Sequence, residues 1–213
     1  MKYIGGNTMG LFDTLKRQAE QAARSATAQA GQNLVQGMKN VASNMGNKTY
    51  NVTLSQMPVN LAQLQAMPEA DLKSPEKTAA LVIAALCIYP IDKEASCEML
   101  EFLHGPKGLS GMDRQFLADR FRDKDYVPRS YFKGATPENN YEPTEPFTLT
   151  FFENPYSRDN LNEGYLTLHI KSNGADSARQ IRLRTKPSTG QWFLWEQFLL
   201  SDVRVPVSAD PWA

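Results

Sequence analysis

The hydrophobic pattern along this chain changes period twice. From Leu11 to Met45, apolar or alanine positions recur at Leu11, Leu15, Ala19, Ala22, Ala26, Ala30, Leu34, Met38, Val41 and Met45, in steps of three and four that mark one face of a helix. The stripe is thin and rich in alanine. Gly31 and Gly37 would each cost about 1 kcal/mol within a helix, so such an arm needs a partner surface to hold its shape. It reads either as a self-association seam or interfacial anchor, with Leu11, Phe12 and Leu15 at its tip, or as an appendage that packs on its own domain or frays.

After Gly46 the pattern is that of a folded domain. Tyr50–Leu54 alternates as a short strand would, and Met57–Pro68 holds room for a short helix between prolines. Ser74-Pro75-Glu76 carries the signals of a helix start, and the helix predicted over Glu76–Tyr89 is apolar nearly all round, the mark of a central buried helix. Pro90 stops it. Asp92 then caps a helix over Lys93–Leu103, and Ser110 with Asp113 forms a capping-box signature opening a third over Gly111–Arg122, expected to bury Met112, Phe116, Leu117 and Phe121.

The segment Asp123–Pro146 is proline-broken and aromatic. Its Tyr126, Tyr131, Phe132 and Tyr141 must either dock on the core or wait for a partner. Four strands follow, over Phe147–Phe152, Tyr165–Lys171, Gln180–Lys186 and Gln191–Leu200. Turns at Asn173-Gly174 and Ser188-Thr189-Gly190 make the sheet antiparallel. The last run places Trp192, Phe193, Leu194, Trp195, Phe198, Leu199 and Leu200 within nine positions, a density that calls for cover on both faces. The predicted architecture is α+β: about three helices packed on an antiparallel sheet of four or more strands (49–213), preceded by a separate N-terminal amphipathic helical arm (1–48).

Charge sharpens that division. Overall the chain is neutral, yet residues 1–48 carry a net of +4 and residues 49–213 a net of −4. An acidic body lacks the clustered cations that phosphate neutralisation requires, so nucleic acid is not an expected partner. Only Cys87 and Cys97 are present, both within apolar helical patterns, which fits reduced buried thiols better than a disulfide framework. The longest apolar run, Ala79–Tyr89, spans 11 residues, short of a membrane-crossing helix, and Met1–Gly10 lacks the plan of a secretory signal. The expected location is the cytoplasm, with peripheral membrane contact open to the arm. Met9 is an alternative start, after which Gly10-Leu11-Phe12-Asp13-Thr14 formally fits a myristoylation pattern.

Candidate chemistry is sparse. Cys87, Cys97, His104 and His169 contain no metal-ligand spacing, and neither phosphate-loop nor nucleophile-elbow motifs occur, so no catalytic residue, metal or cofactor is assigned. Cys97 and His104 lie about 10 Å apart along one predicted helix, too far for direct proton transfer. Glu138, Glu142 and Glu145 cluster in the proline-rich loop, where carboxylates are usually just solvated. The most regular charged feature is the strand face of Arg182, Arg184 and Lys186, to which Tyr165, His169 and Lys171 could add, depending on register. Such a face is either a balanced solvent surface or a site for an anion or acidic peptide, because arginine forks pair with carboxylates. Candidate binding residues are therefore Tyr126, Tyr131, Tyr141, Arg182, Arg184 and His169.

The segments GQWFLWEQFLLSDVRVPVSADPWA, KTAALVIAALCIYP and DRQFLADRFRDKDYVPRSYFKGATPENNY, with the ending Asp210-Pro211-Trp212-Ala213, resemble an uncharacterised bacterial family, a domain of unknown function, over about Val52 to Ala213. The resemblance implies a bacterial, cytosolic origin and brings no activity and no catalytic residue. The arm lies outside it. The expected function is a non-enzymatic binding or scaffold module whose arm mediates self-association or peripheral membrane contact. The alternative is a hydrolase using His104 or His169 with an acidic partner in a cleft between helices and sheet.

Overall fold

The computed structural model describes residues 48–212. The arm expected at residues 1–48 lies outside the described residues, Lys48 excepted. Strand β1 (Thr49–Thr53) is followed by a short helix α1 (Leu61–Ala66) and three longer ones, α2 (Pro75–Ile88), α3 (Lys93–His104) and α4 (Gly111–Arg120). Strands β2 (Thr148–Phe152), β3 (Tyr165–Ile170), β4 (Arg179–Lys186) and β5 (Gln191–Gln197) complete an α+β domain. The five strands lie in the order β1-β2-β3-β4-β5, every neighbouring pair antiparallel. Helices α1 to α4 are thus an excursion between two adjacent strands, β1 and β2.

The helices start where their caps dictate. Asn60 accepts from the Gln63 amide at 2.9 Å, Asp92 accepts from the Ala95 amide at 3.0 Å, and Ser110 and Asp113 complete a reciprocal capping box. At α2 the grammar is only half used. Ser74 occupies the cap position without a side-chain bond, while Thr78 one turn on donates its hydroxyl to the Ser74 carbonyl and lies within bonding distance of the Trp192 carbonyl, both at 3.2 Å. Eleven of the fourteen α2 residues are buried, so the helix has no solvent face, in keeping with its apolar sequence. Ser96 ties α3 to it by donating to the Ala85 carbonyl at 2.8 Å.

Period-two patterning sets one face of the sheet against these helices. Val52, Leu149, Phe151, Leu166, Leu168, Ile170, Ile181, Leu183 and Leu194 are buried in the common core. The terminal strand departs from expectation. β5 is an edge strand covered on one face, and within the run only Leu194, Leu199 and Leu200 are buried; Trp192, Phe193 and Trp195 are half-buried and Phe198 is 54% exposed. Its backbone edge is nevertheless protected, since the Trp192 amide donates to the Leu72 carbonyl at 2.7 Å and Lys107 Nζ donates to the Trp195 carbonyl at 2.7 Å. Met112 and Phe116 on α4 also miss the core, at 85% and 40% exposure, because α4 buries only Leu117 along its length. Cys87 and Cys97 are separate buried thiols, and burial pushes Cys87 up to about 12.

Where α3 ends, Gly105 adopts a φ of +56°, and a Cβ placed there would stand 2.2 Å from Cδ1 of the Phe193 ring. Backbone and packing therefore both demand glycine. Gly105→Ala is expected to cost about 3 kcal/mol, combining left-handed strain with displacement of Phe193. Denaturant unfolding would register this as a lowered midpoint at unchanged slope.

Candidate functional site

The strand register decides which candidate residues meet. On the face turned away from the helices, Tyr165 pairs with Arg184 and Thr167 with Arg182, while across the next strand Arg182 pairs with Glu196 and Arg184 with Phe193. A register shift between Arg182 and Leu183 leaves Trp195 as the extra residue of β5. The result is a ladder of cations and rings. Arg182 sits 4.4 Å from the Tyr165 ring centroid, Arg184 lies 5.1 Å from Tyr165 and 4.8 Å from Trp195, and Lys107 lies 5.0 Å from Trp195. Tyr165 and Trp195 meet edge to face at 5.4 Å. Each cation–ring contact is worth about 0.5–1 kcal/mol at such exposure, enough to hold the long side chains in place.

The charges of the ladder are unequally satisfied. Arg182 forms an ion pair with Glu196 at 3.6 Å, and Lys107 is bonded to a backbone carbonyl. Arg184 is exposed and has no carboxylate partner among the described residues. Lys171 does not stand opposite the two arginines, since Tyr165 and Thr167 occupy those positions.

His169 shares that side of the sheet but is sequestered. The loop after β2 folds over it, with Asn154 Nδ2 3.2 Å from its Nε2, Ser157 Oγ 3.5 Å from its Nδ1, and the Phe152 ring stacked at 5.5 Å. Beside it, buried Glu153 accepts hydrogen bonds from Tyr50 and from two nitrogens of Arg158. Burial alone would raise the Glu153 carboxyl, but these bonds outweigh it and hold it below its ordinary value.

The tyrosines of the proline-rich segment are interior residues. Tyr131 donates to the Leu199 carbonyl, Tyr141 donates to the Arg204 carbonyl at 2.7 Å, and Tyr126 stacks on Tyr141 at 5.7 Å. With Tyr126 at 9%, Tyr131 at 3% and Tyr141 at 0% exposure, they dock on the core and offer no surface to a partner in solution. Of the loop carboxylates, Glu142 is engaged by Arg129 at 3.1 Å.

A cleft does open between helices and sheet, beside β5. Leu86, Leu100, Leu117 and Leu194 line it, with Phe116 and Phe198 among its exposed wall residues, and it encloses about 280 Å³. His104, at the end of α3, contributes its ring to the wall. The acid in this cleft, Asp113, is bound to the amide and hydroxyl of Ser110 at 2.9 and 2.7 Å, and no carboxylate hydrogen-bonds to His104 among the described residues. A histidine–carboxylate pair, which the hydrolase alternative calls for, is therefore not assembled here.

The pattern of one protein family, described as a domain of unknown function (DUF6935), matches residues 56–207. The chain belongs to that family, which takes in α1 to α4 and strands β2 to β5. No curated protein and no solved structure matches it.

Burial lowers the affinity of both histidines for protons. At His104 nearby Lys107 adds to the effect while Asp113 and the Leu194 backbone oppose it in part; at His169 the Phe152 backbone opposes it. A folded-state value below the unfolded ~6.5 means that neutral histidine stabilises the fold above that pH, and that this stability is lost as pH falls below it. Stability measured by urea unfolding should therefore decline from pH 7.5 to 5.5. The decline should weaken in His104→Asn and in His169→Asn, and be nearly absent in the double variant.

Proposed function

We propose that this domain is a non-enzymatic binding module that takes an acidic segment of a protein partner across the open face of its sheet. The observation that carries the reading is Arg184: exposed, without a carboxylate partner among the described residues, and held against both the Tyr165 and Trp195 rings. A guanidinium fixed in this way gives up little side-chain freedom when it pairs with a carboxylate, and its planar fork suits a bidentate contact. Arg182, Lys107 and Lys186 add positive charge, of which Arg182 is paired with Glu196, on a body that is otherwise net acidic. That contrast directs an acidic partner to this face.

A fluorescent glutamate-rich peptide titrated against the full chain at low salt tests the assignment. Arg184→Ala should weaken binding roughly tenfold, and Arg184→Lys should recover only part of the loss because an ammonium lacks the fork. Unchanged affinity in Arg184→Ala would remove the reading, and preferential binding of a single-stranded oligonucleotide would replace it with a stacking platform for nucleic acid.

In the same proposal residues 1–48 serve as a cytoplasmic tether, mediating self-association or peripheral membrane contact. Support comes from the apolar stripe between Leu11 and Met45 and the basic excess of that segment. A variant lacking residues 1–48 should lose the oligomeric mass or the partitioning onto anionic vesicles seen with the full chain. Identical behaviour of the two proteins would leave the arm without that role.

A further inference from the structure

Strand β1 ends the sheet, and one side of its backbone is open. It pairs with β2 alone. The Glu153 amide donates to the Lys48 carbonyl at 2.8 Å and the Leu54 amide to the Phe147 carbonyl at 2.9 Å, so the even-numbered residues of this stretch turn their backbone groups toward β2. Alternation then aims the amides and carbonyls of Thr49, Asn51 and Thr53 away from the sheet. All three residues are exposed, and no hydrogen bond to those groups occurs among the described residues. The opposite edge differs, since Leu72 and Lys107 close β5.

Nothing on β1 discourages a further strand. Sheet edges are ordinarily blunted by lysine, proline, an inward charge or a bulge. The sequence TYNVT carries no charge and no proline, and its register on β2 runs without a shift. The strand is also held in shape: Thr150 donates to Asn51 Oδ1 at 2.8 Å, and the hydroxyls of Thr53 and Thr148 stand 2.9 Å apart. A strand ordered in advance gives up little freedom on gaining a neighbour.

The edge also selects its neighbour. Its outward-directed positions read Thr, Asn, Thr in either direction, so the strand matches itself about Asn51. In an antiparallel pair of copies Asn51 faces the partner's Asn51, and Thr49 faces the partner's Thr53, each pair exchanging amide–carbonyl bonds. Tyr50 then faces the partner's Val52 on the helix-facing side, an aromatic and β-branched pair. β1 offers no charge to choose an acidic or basic segment, and none that a second copy would repel.

We propose that β1 is the interface of a two-fold homodimer, in which the β1 strands of two copies pair antiparallel about Asn51 and join their sheets into one. This contact is distinct from the arm and from the Arg184 face, and it stands whether or not either acts as proposed.

Sedimentation and crosslinking of the full chain test it. The native protein should sediment as a dimer, and Asn51→Lys, which sets like charges face to face, should weaken that dimer at least about tenfold. Thr49→Lys with Thr53→Glu places opposite charges across the contact and should keep the dimer, whereas Thr49→Lys with Thr53→Lys should lose it. The Cα atoms of a hydrogen-bonded antiparallel pair stand about 5.5 Å apart, within disulfide reach, while the two Thr53 residues would be about 14 Å apart. Under mild oxidation Asn51→Cys should therefore crosslink at least about tenfold faster than Thr53→Cys, Cys87 and Cys97 being buried. A native chain that stays monomeric at high micromolar concentration, equal crosslinking at the two positions, or equal dimerisation of the two double variants would each overturn the proposal. A dimer indifferent to Asn51→Lys would do the same and place self-association elsewhere, in the arm or another surface. The mass of the native chain is decisive against the proposal even if a variant fails to fold.

Discussion

A helix that is apolar on every side has no stable place at a surface, and α2 imposes that constraint on the whole domain. With Thr78 to Ile88 buried, it must be enclosed by the sheet and by α3, together with the segment that carries Tyr131. The helix-facing side of the sheet therefore reads Val, Leu, Ile and Phe. Cover is exhausted there, and the opposite side of the sheet is left to polar and aromatic residues. The loop after β2 shelters His169, whereas the half around Tyr165, Arg184 and Trp195 has no such cover among the described residues. The open face is thus a consequence of how much chain α2 requires around it.

Much of the architecture was legible because it follows from local chemistry. Asp92 and the Ser110–Asp113 pair announce helix starts, and the alternation of Leu166, Leu168, Ile170, Ile181 and Leu183 announces strands. Burial within a recognised element was less legible, because it depends on where that element sits. The tryptophan-bearing run looked like core, but an edge strand with helices on one side buries only Leu194 and the two leucines after Phe198. Met112 and Phe116 failed in the same way, since a three-to-four spacing on α4 cannot say how far a neighbour extends.

The candidate surfaces divide along the same line. Period-two spacing places Arg182 and Arg184 on one face, and register alone adds Tyr165. Lys107 comes from the end of the helical layer and Trp195 through a bulge, and neither carries a local signal. His104 could be read as a helix-terminal residue, but its burial against Leu194 of β5 is set by the tertiary fold. The tyrosines of the proline-rich segment looked identical to binding residues in sequence. The hydroxyls of Tyr131 and Tyr141 instead find the carbonyls of Leu199 and Arg204, far along the chain.

The placement of α1 to α4 between two neighbouring strands shapes how the protein reaches this state. Tyr50 and Glu153, hydrogen-bonded partners, are 103 positions apart in sequence. Joining β1 to β2 closes a very long loop, an entropic cost recovered only after the intervening helices have condensed, whereas β3 to β5 assemble through near-neighbour turns. Loop-closure entropy thus favours growth of the sheet from its C-terminal hairpins toward β1. A chain in which β1 had yet to dock would present the backbone edge of β2 to the surrounding solution, an open template for a second copy.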